Sequence, residues 1–384
     1  MPVAAGASNL YFGKDTRVYI QQGSNIWEIP VLSGYSYNQT TNTSEVTLNE
    51  MADSAGNSRR GRAYFTDSFA PSEWSFDTYV RPYLVTGTPN KMRAVEEALW
   101  ANFVAANTFT PATPAWASGV TIGATALDIN FNSSNKTTLG VFDIYFVLGA
   151  SKASPGTAAF SYLADGDTTI YKIADASINE AAITFDIEGI ATISWSGMGG
   201  SVKEVTSFNA STAIVAGTNQ TNNFIRNKLT QLQAVSSVSG SSKTYAITLT
   251  GGSITISNNL TYLIPEVLGR VNQPLGHITG ARTVSGNFTC YLDEKTNGSI
   301  ELFEDLSNAT TAITNSFALD FYVGGKAAGD APVGPGVQFK IPQAHLSLPS
   351  FDTGDVISVD VAFAALPSTI GATDEISKIS YVGV

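Results

Sequence analysis

Cysteine and histidine are nearly absent from this chain of 384 residues, which holds one cysteine, Cys290, and two histidines, His277 and His345. One cysteine excludes an internal disulfide framework, and so few soft ligands leave a zinc site almost nothing to draw on. No Ser sits in a Gly-x-Ser-x-Gly turn, and no Gly-x4-Gly-Lys-Ser/Thr loop occurs. The glycine-rich stretches at Gly197, Gly199 and Gly200 and at 324–336 lack the strand-turn-helix setting of a phosphate loop and read as turns. Asp165-Gly166-Asp167 offers two carboxylates where calcium prefers about six to eight oxygens. Catalysis, a metal and a cofactor are therefore not expected. Long apolar runs are missing as well, since the best, Ile144 to Ala150, is far short of the roughly 20 residues a bilayer demands. Met1 to Asn9 lacks the basic start and apolar core of a secretory signal, so synthesis in the cytosol is expected, and sequons such as Asn42, Asn132 and Asn259 read as by-products of composition.

What the chain does hold is a β-rich composition that says nearly the same thing twice. Hydrophobic residues make up 43% and charged residues only 14%, with Ser, Thr, Asn and Gly between short apolar runs. Trp74-Ser75-Phe76-Asp77-Thr78-Tyr79 returns as Gly286-Asn287-Phe288-Thr289-Cys290-Tyr291. The run Phe142 to Gly149 is answered by Phe317 to Gly324, and Tyr171-Lys172-Ile173-Ala174-Asp175-Ala176 by Phe339-Lys340-Ile341-Pro342-Gln343-Ala344. A Phe-Asp pair follows each, Phe185-Asp186 and Phe351-Asp352. Four matches in order predict two tandem domains of one fold, residues 1–200 and 201–384. The first copy carries an insertion at about 107–138, and a Ser-, Thr- and Asn-rich linker is expected at about 200–222.

Strands dominate the pattern. Trp74, Phe76, Thr78 and Val80 alternate with Ser75, Asp77, Tyr79 and Arg81, one buried face and one wet face. Ile183 to Trp195 alternates likewise, with Gly189 as a bulge or bend, and Gly251-Gly252 reads as a tight hairpin turn. Cys290 falls inside an alternating strand and is expected to be a small core residue. The best helix runs from about Pro89 to Val104, with Met92, Val95, Leu99 and Phe103 on one face. Its copy runs from Ser299 to Asn308. The expected class is mainly β, α+β in detail, with one short helix beside each set of strands.

At a formal net charge of −11 the whole molecule repels polyanions, which argues against tight binding of nucleic acid. One basic cluster stands out, Arg59-Arg60-Gly61-Arg62, beside Glu50 and Asp53. A solvated loop tip and a protruding contact loop that pairs guanidinium forks with a neighbouring subunit's carboxylates both fit it, and the long flanking loop favours contact.

Ile26-Trp27-Glu28-Ile29-Pro30 through Tyr37, Glu45-Val46-Thr47-Leu48-Asn49-Glu50, the Arg60-Gly61-Arg62 turn and Glu73 to Pro82 together resemble the tail tube proteins of tailed bacteriophages. Thr248 to Ile256 and Gln273 to Gly280 look like a divergent second copy. The resemblance implies two tandem β-sandwich or partial-barrel domains, each with a flanking helix, whose inner sheets join across subunits into one barrel around a lumen. It implies a structural virion protein, assembled in the host cytoplasm, whose stacked rings form the tail's conduit for DNA. The implied partners are further copies of the chain, tape measure, tail terminator and baseplate or tip proteins, a sheath in contractile tails, and DNA in transit without tight binding; no membrane anchor is implied. If relatives with one domain build rings of six, this chain is expected to build them from three copies with pseudo-sixfold symmetry. An acidic lumen would let DNA slide; the candidates for lining it are Glu45, Asp77, Asp186, Glu188, Asp352, Asp355 and Asp360, for which the outer wet face of each sheet is the alternative placement. A capsid or head-decoration protein and a surface adhesin or lectin are the alternative β-rich readings.

Overall fold

The computed structural model describes residues 10–46, 54–55, 63–105, 107–131, 139–150, 159–161, 168–214, 223–236, 242–264, 274–308, 317–325 and 334–383. The strands begin with β1 (Thr16–Gln22) and β2 (Asn25–Ile29), a hairpin turned at Gly23, whose φ of 58° suits glycine. A short β3 (Ser36–Asn38) precedes a second hairpin, β4 (Thr41–Val46) with β5 (Ala63–Phe69), and then β6 (Ser72–Tyr79). β7 (Pro82–Val85) and β8 (Lys91–Ala94) pair before helix α1 (Glu97–Val104). Within the expected insertion lie β9 (Phe109–Thr110), β10 (Ala115–Trp116), β11 (Val120–Ile122) and β12 (Ala126–Asn130). β13 (Phe142–Leu148), β14 (Ala159–Ser161), β15 (Thr169–Asp186), β16 (Thr192–Gly199), β17 (Ser201–Val205) and β18 (Ser207–Asn209) follow.

The second half runs β19 (Gln231–Ser236), β20 (Lys243–Ala246), β21 (Leu249–Ser257), and a hairpin of β22 (Leu260–Leu263) and β23 (Gly276–Thr279). β24 (Thr283–Tyr291), helix α2 (Ser299–Asn308), β25 (Phe317–Val323), β26 (Gly336–Leu346), β27 (Ser350–Thr353), β28 (Ile357–Ala365) and β29 (Lys378–Val382) complete it. The protein is thus mainly β with two helices among the described residues.

The antiparallel pairings of the first half recur in the second. β1 pairs β2 and β13 as β19 pairs β20 and β25, β13 pairs β15 as β25 pairs β26, and β6 pairs β3 and β16 as β24 pairs β21 and β28. Register fixes which residues correspond. Ile144 faces Ile173 and Phe142 faces Ala176, while Leu319 faces Ile341 and Phe317 faces Ala344. Counted on without a gap, Phe351 falls at the place of Ile183, two residues from the Phe-Asp match in the sequence. A strand repeats every two residues, so the dipeptide matched equally well in either phase.

The two halves share one long sheet, in the order β3–β6–β16–β15–β21–β24–β28–β27. β15 makes the junction because it is long enough to serve two sheets. Its first half pairs β13 and β17, the backbone turns at Asp175 (φ 53°) and bulges near Asn179, and its second half pairs β16 and β21. β26 serves two sheets likewise, pairing β25 and β29 and then β28. β12, in the segment expected as an insertion, pairs β29. Beneath the long sheet lies an apolar core in which Trp100 of α1 meets Trp195 edge-on with ring centroids 4.7 Å apart. The sheet does not close within the chain: among the described residues β3 pairs β6 alone and β27 pairs β28 alone.

Several local expectations are corrected. The helix expected from Pro89 is confined to Glu97–Val104, because Met92 to Ala94 are extended in β8, paired with Leu84 to Pro82. All eight residues of α1 are buried, so it has no wet face; Glu97 survives there through a bidentate pair with Arg93 at 2.5 and 2.6 Å and a bond from Trp116 Nε1 at 2.9 Å. Gly251-Gly252 is no turn but the middle of β21. A Cβ on Gly252 would lie 2.7 Å from the Phe185 ring, so glycine is what lets that ring cover the junction. Gly189 (φ 98°) belongs to the connection between β15 and β16, which makes 183–195 a hairpin. Within the expected linker, Ser201 to Val205 form β17 on β15.

Candidate functional site

Alternation gives the long sheet two chemically opposite faces. Trp195 faces Phe76, Ile183 faces Ile254, and Phe288 faces Val361, all turned into the core and each no more than 2% exposed. Their neighbours in sequence point the other way. On that second face lie Ser36, Ser75, Asp77, Ser194, Thr184, Asp186, Ser253, Asn287, Asp352 and Asp360, half-buried or exposed. Short polar side chains bond across it. Ser36 and Ser75 hydroxyls meet at 2.8 Å, Ser253 Oγ donates to Asn287 Oδ1 at 2.7 Å, and Asn287 Nδ2 donates to Asp360 Oδ1 at 2.9 Å.

Where the strands of this face carry charge, it is acidic. Glu73, Asp77, Glu180, Asp186, Asp352 and Asp360 stand on it, while β3, β6, β16, β21, β24, β27 and β28 and the 177–186 half of β15 contain no Lys or Arg. Basic side chains sit elsewhere, with Lys172 on Asp143 at 2.6 Å in the first half of β15 and Lys243 on Glu301 at 2.7 Å beside α2. Carboxylates without cations give a surface that repels phosphate, and neighbouring hydroxyls and amides keep it wetted without adding charge.

Of the expected acidic residues, Asp77, Asp186, Asp352 and Asp360 are brought to this one face. Glu188 and Asp355 occupy the connections β15–β16 and β27–β28, and Glu45 lies on the separate β4–β5 hairpin. Glu73 and Glu180 were missed, although Glu73 is in phase with Asp77 and Glu180 with Asp186. Ile187, which the alternation over Ile183 to Trp195 puts in phase with Phe185, is 50% exposed because β15 ends at Asp186. Cys290 is wholly buried in the core, where burial pushes its thiol up to about 12. Glu50, Asp53, Arg59, Arg60 and Arg62, like Asp165 to Asp167, lie outside the described residues.

A second polar cluster is internal. Glu96, at the start of α1, is fully buried, and desolvation pushes its carboxyl up to about 7 against the opposing pull of Tyr381 and Arg81. Tyr381, on β29, also accepts a bond from Trp100 Nε1 at 2.7 Å.

Among the described residues the long sheet pairs no further strand at either edge and is acidic on one face, features that suit a structural protein assembling with copies of itself. The family model for the phage tail tube protein matches residues 40–365. Over 373 residues the chain is 31% identical to the tail tube protein pb6 of Escherichia phage T5, an alignment that covers 94% of this chain and 74% of that protein. The chain belongs to the phage tail tube protein family. It is accordingly a structural component of the virion tail.

Proposed function

We propose that three copies of this chain form each ring of the tube, that residues 1–200 and 201–384 act as two copies of one tube domain, and that the long sheet faces the lumen. The observation that carries this reading is the face holding six named carboxylates on strands that carry no Lys or Arg, continuous from the first half to the second. Duplex DNA carries one negative charge per roughly 1.7 Å of axis, so a basic wall would hold it at many points and counterion release would turn a conduit into a trap. An acidic wall of hydroxyls and carboxylates lets it slide. The doubled pairing pattern supports three chains in place of six single domains, and the uncovered β3 and β27 supply edges through which sheets can join.

Within the tail this tube would enclose a tape measure protein and end on terminator and baseplate or tip proteins, with a sheath outside it if the tail contracts. No catalytic role is proposed. The segment with Arg59, Arg60 and Arg62 and with Glu50 and Asp53 is proposed as the contact between rings or subunits. A reconstruction of tubes assembled from the purified chain tests the reading. Three chains per ring and an inner surface bearing Asp77, Asp186 and Asp360 are expected; six chains per ring, or Phe76 and Phe185 on the channel, would overturn it.

A further inference from the structure

The junction between the two halves supplies a template for the junction between chains. Inside the chain, β15 pairs β21 with Ile183 opposite Ile254, Thr184 opposite Ser253 and Ala182 opposite Thr255. Ile183 and Ile254 are both 0% exposed. Each member has a counterpart in the other half. Ile183 corresponds to Phe351, by the uninterrupted count along β26 and β27. Tyr37 faces Trp74 as Ile254 faces Gly286, and Trp74 and Gly286 hold the same place two residues before Phe76 and Phe288, so Tyr37 corresponds to Ile254.

Of the two counterparts Phe351 is uncovered, while Tyr37 is half-buried against Phe146 and Tyr171 and has only the outer edge of its strand open. Phe351 is 59% exposed, with Leu348 at 72% and Val356 at 59% beside it, and β27 offers its second edge to nothing among the described residues. β3 is likewise paired on one side only. A second element of the internal junction repeats the contrast. The β22–β23 hairpin lies against the first half, where Tyr262 donates its hydroxyl to the Asp175 carbonyl at 2.5 Å and His277 Nδ1 stands 3.2 Å from Ser177 Oγ. Its counterpart, the β4–β5 hairpin, leaves Tyr64 and Phe65 58% and 54% exposed.

We infer that chains join by antiparallel pairing of residues 350–353 of one chain with 35–38 of the next, with Phe351 opposite Tyr37, Ser350 opposite Asn38 and Asp352 opposite Ser36. The occupant of the exposed edge is thus a second copy of this chain, and the interface between chains copies the one inside each chain. Because the two edges belong to different halves, the contact is head to tail, the arrangement that closes into a ring when the rotation permits. The acidic face runs through the junction unbroken, since Asp352 stays on the same side as Thr184 at the internal one.

The inference rests on the tube reading, and cysteine pairs separate the two. Directly opposed residues of antiparallel strands place their Cα atoms about 4.5–5.5 Å apart, within disulfide reach, whereas diagonal neighbours do not bring their Cβ atoms close enough. Tubes of the N38C/S350C variant, oxidised and run without reductant, should give chains cross-linked into dimers and trimers. S36C/S350C, displaced by two residues, should stay largely monomeric, and the buried Cys290 should leave wild-type tubes uncross-linked. Tubes that form normally but cross-link only in the displaced pair, or in neither, would overturn the register while leaving the tube reading intact. Failure of the wild-type chain to form tubes would sink both. If the variants do not polymerise, a reconstruction of wild-type tubes reads the register without substitutions, and any pairing other than Phe351 with Tyr37 overturns it.

Discussion

Glu96 is a carboxyl that folding holds more easily with a proton than without. Its folded pKa, raised to about 7 from an ordinary 4.5, means the folded chain binds the proton more tightly than the unfolded one. The sign follows: this group's contribution is full below about pH 4.5 and declines as pH rises through about 7. Glu96→Gln keeps the shape and removes the ionisation, so denaturant titrations should show a flatter stability profile across that window. At pH 8 the variant should be more stable by on the order of 1–3 kcal/mol. An unchanged profile would show that Glu96 is not the titrating group.

Gly252 illustrates a different dependence, on the absence of atoms. A Cβ there would meet the Asn287 carbonyl at 2.5 Å as well as the Phe185 ring, and rigid sheet backbone cannot give way cheaply. Gly252→Ala should cost about 1–3 kcal/mol, read as a lowered unfolding midpoint. Such a role was not legible in the sequence, where two adjacent glycines between alternating runs carry the signature of a hairpin. What distinguishes a turn from a covered strand is the aromatic ring that lands on it from elsewhere in the chain.

At the scale of the element, strand faces were the most readable feature because period two needs only local information. The phase that buries Trp74 and Phe76 also fixes Asp77 outward, and Glu73 follows once the strand is extended backward. The helix start was less readable. Met92, Val95, Leu99 and Phe103 have helical spacing, yet Met92 is buried from a strand, since both periods bring it to the same core. Which carboxylates share a face depends on strand order, and that is set by long-range pairing. If the acidic face works as a sliding surface, charge reversal should convert it into a trap. Tubes of Asp77→Lys/Asp186→Lys/Asp360→Lys should retain duplex DNA in cosedimentation at low salt and release it as salt rises, while wild-type tubes retain none. Equal retention by both would remove the electrostatic basis of the conduit.

For the whole molecule, polymerisation and folding should be separable. Replacing Arg59, Arg60 and Arg62 by Ala removes charges from the segment proposed to make contacts, and solvent-screened ion pairs as a rule contribute little to stability. Thermal unfolding of the single chain should be unchanged, whereas tube formation followed by sedimentation should require higher protein concentration. Unaltered assembly at low and physiological salt would exclude the contact role. The repeated landmarks were visible in sequence order, but not the way the two halves of the chain interlock, because neither β15–β21 nor β12–β29 joins neighbours in sequence.

The pairing of β12 with β29 also sets a clock on synthesis. Asp128 and Lys378, which bond across that pair, are 250 residues apart. A ribosome adding roughly 5–20 residues per second needs on the order of ten to fifty seconds to cover that distance. Through that interval β12 and Trp100 wait for Lys378 to Val382, so the core around α1 stays unfinished on every nascent chain. Polymerisation-competent edges on a half-made protein would nucleate defective tubes beside the ribosome. Tying the first half's closure to residues made so much later delays a finished subunit until both of its edges exist, and a chain ended before Lys378 should accumulate as aggregate or be degraded without entering tubes.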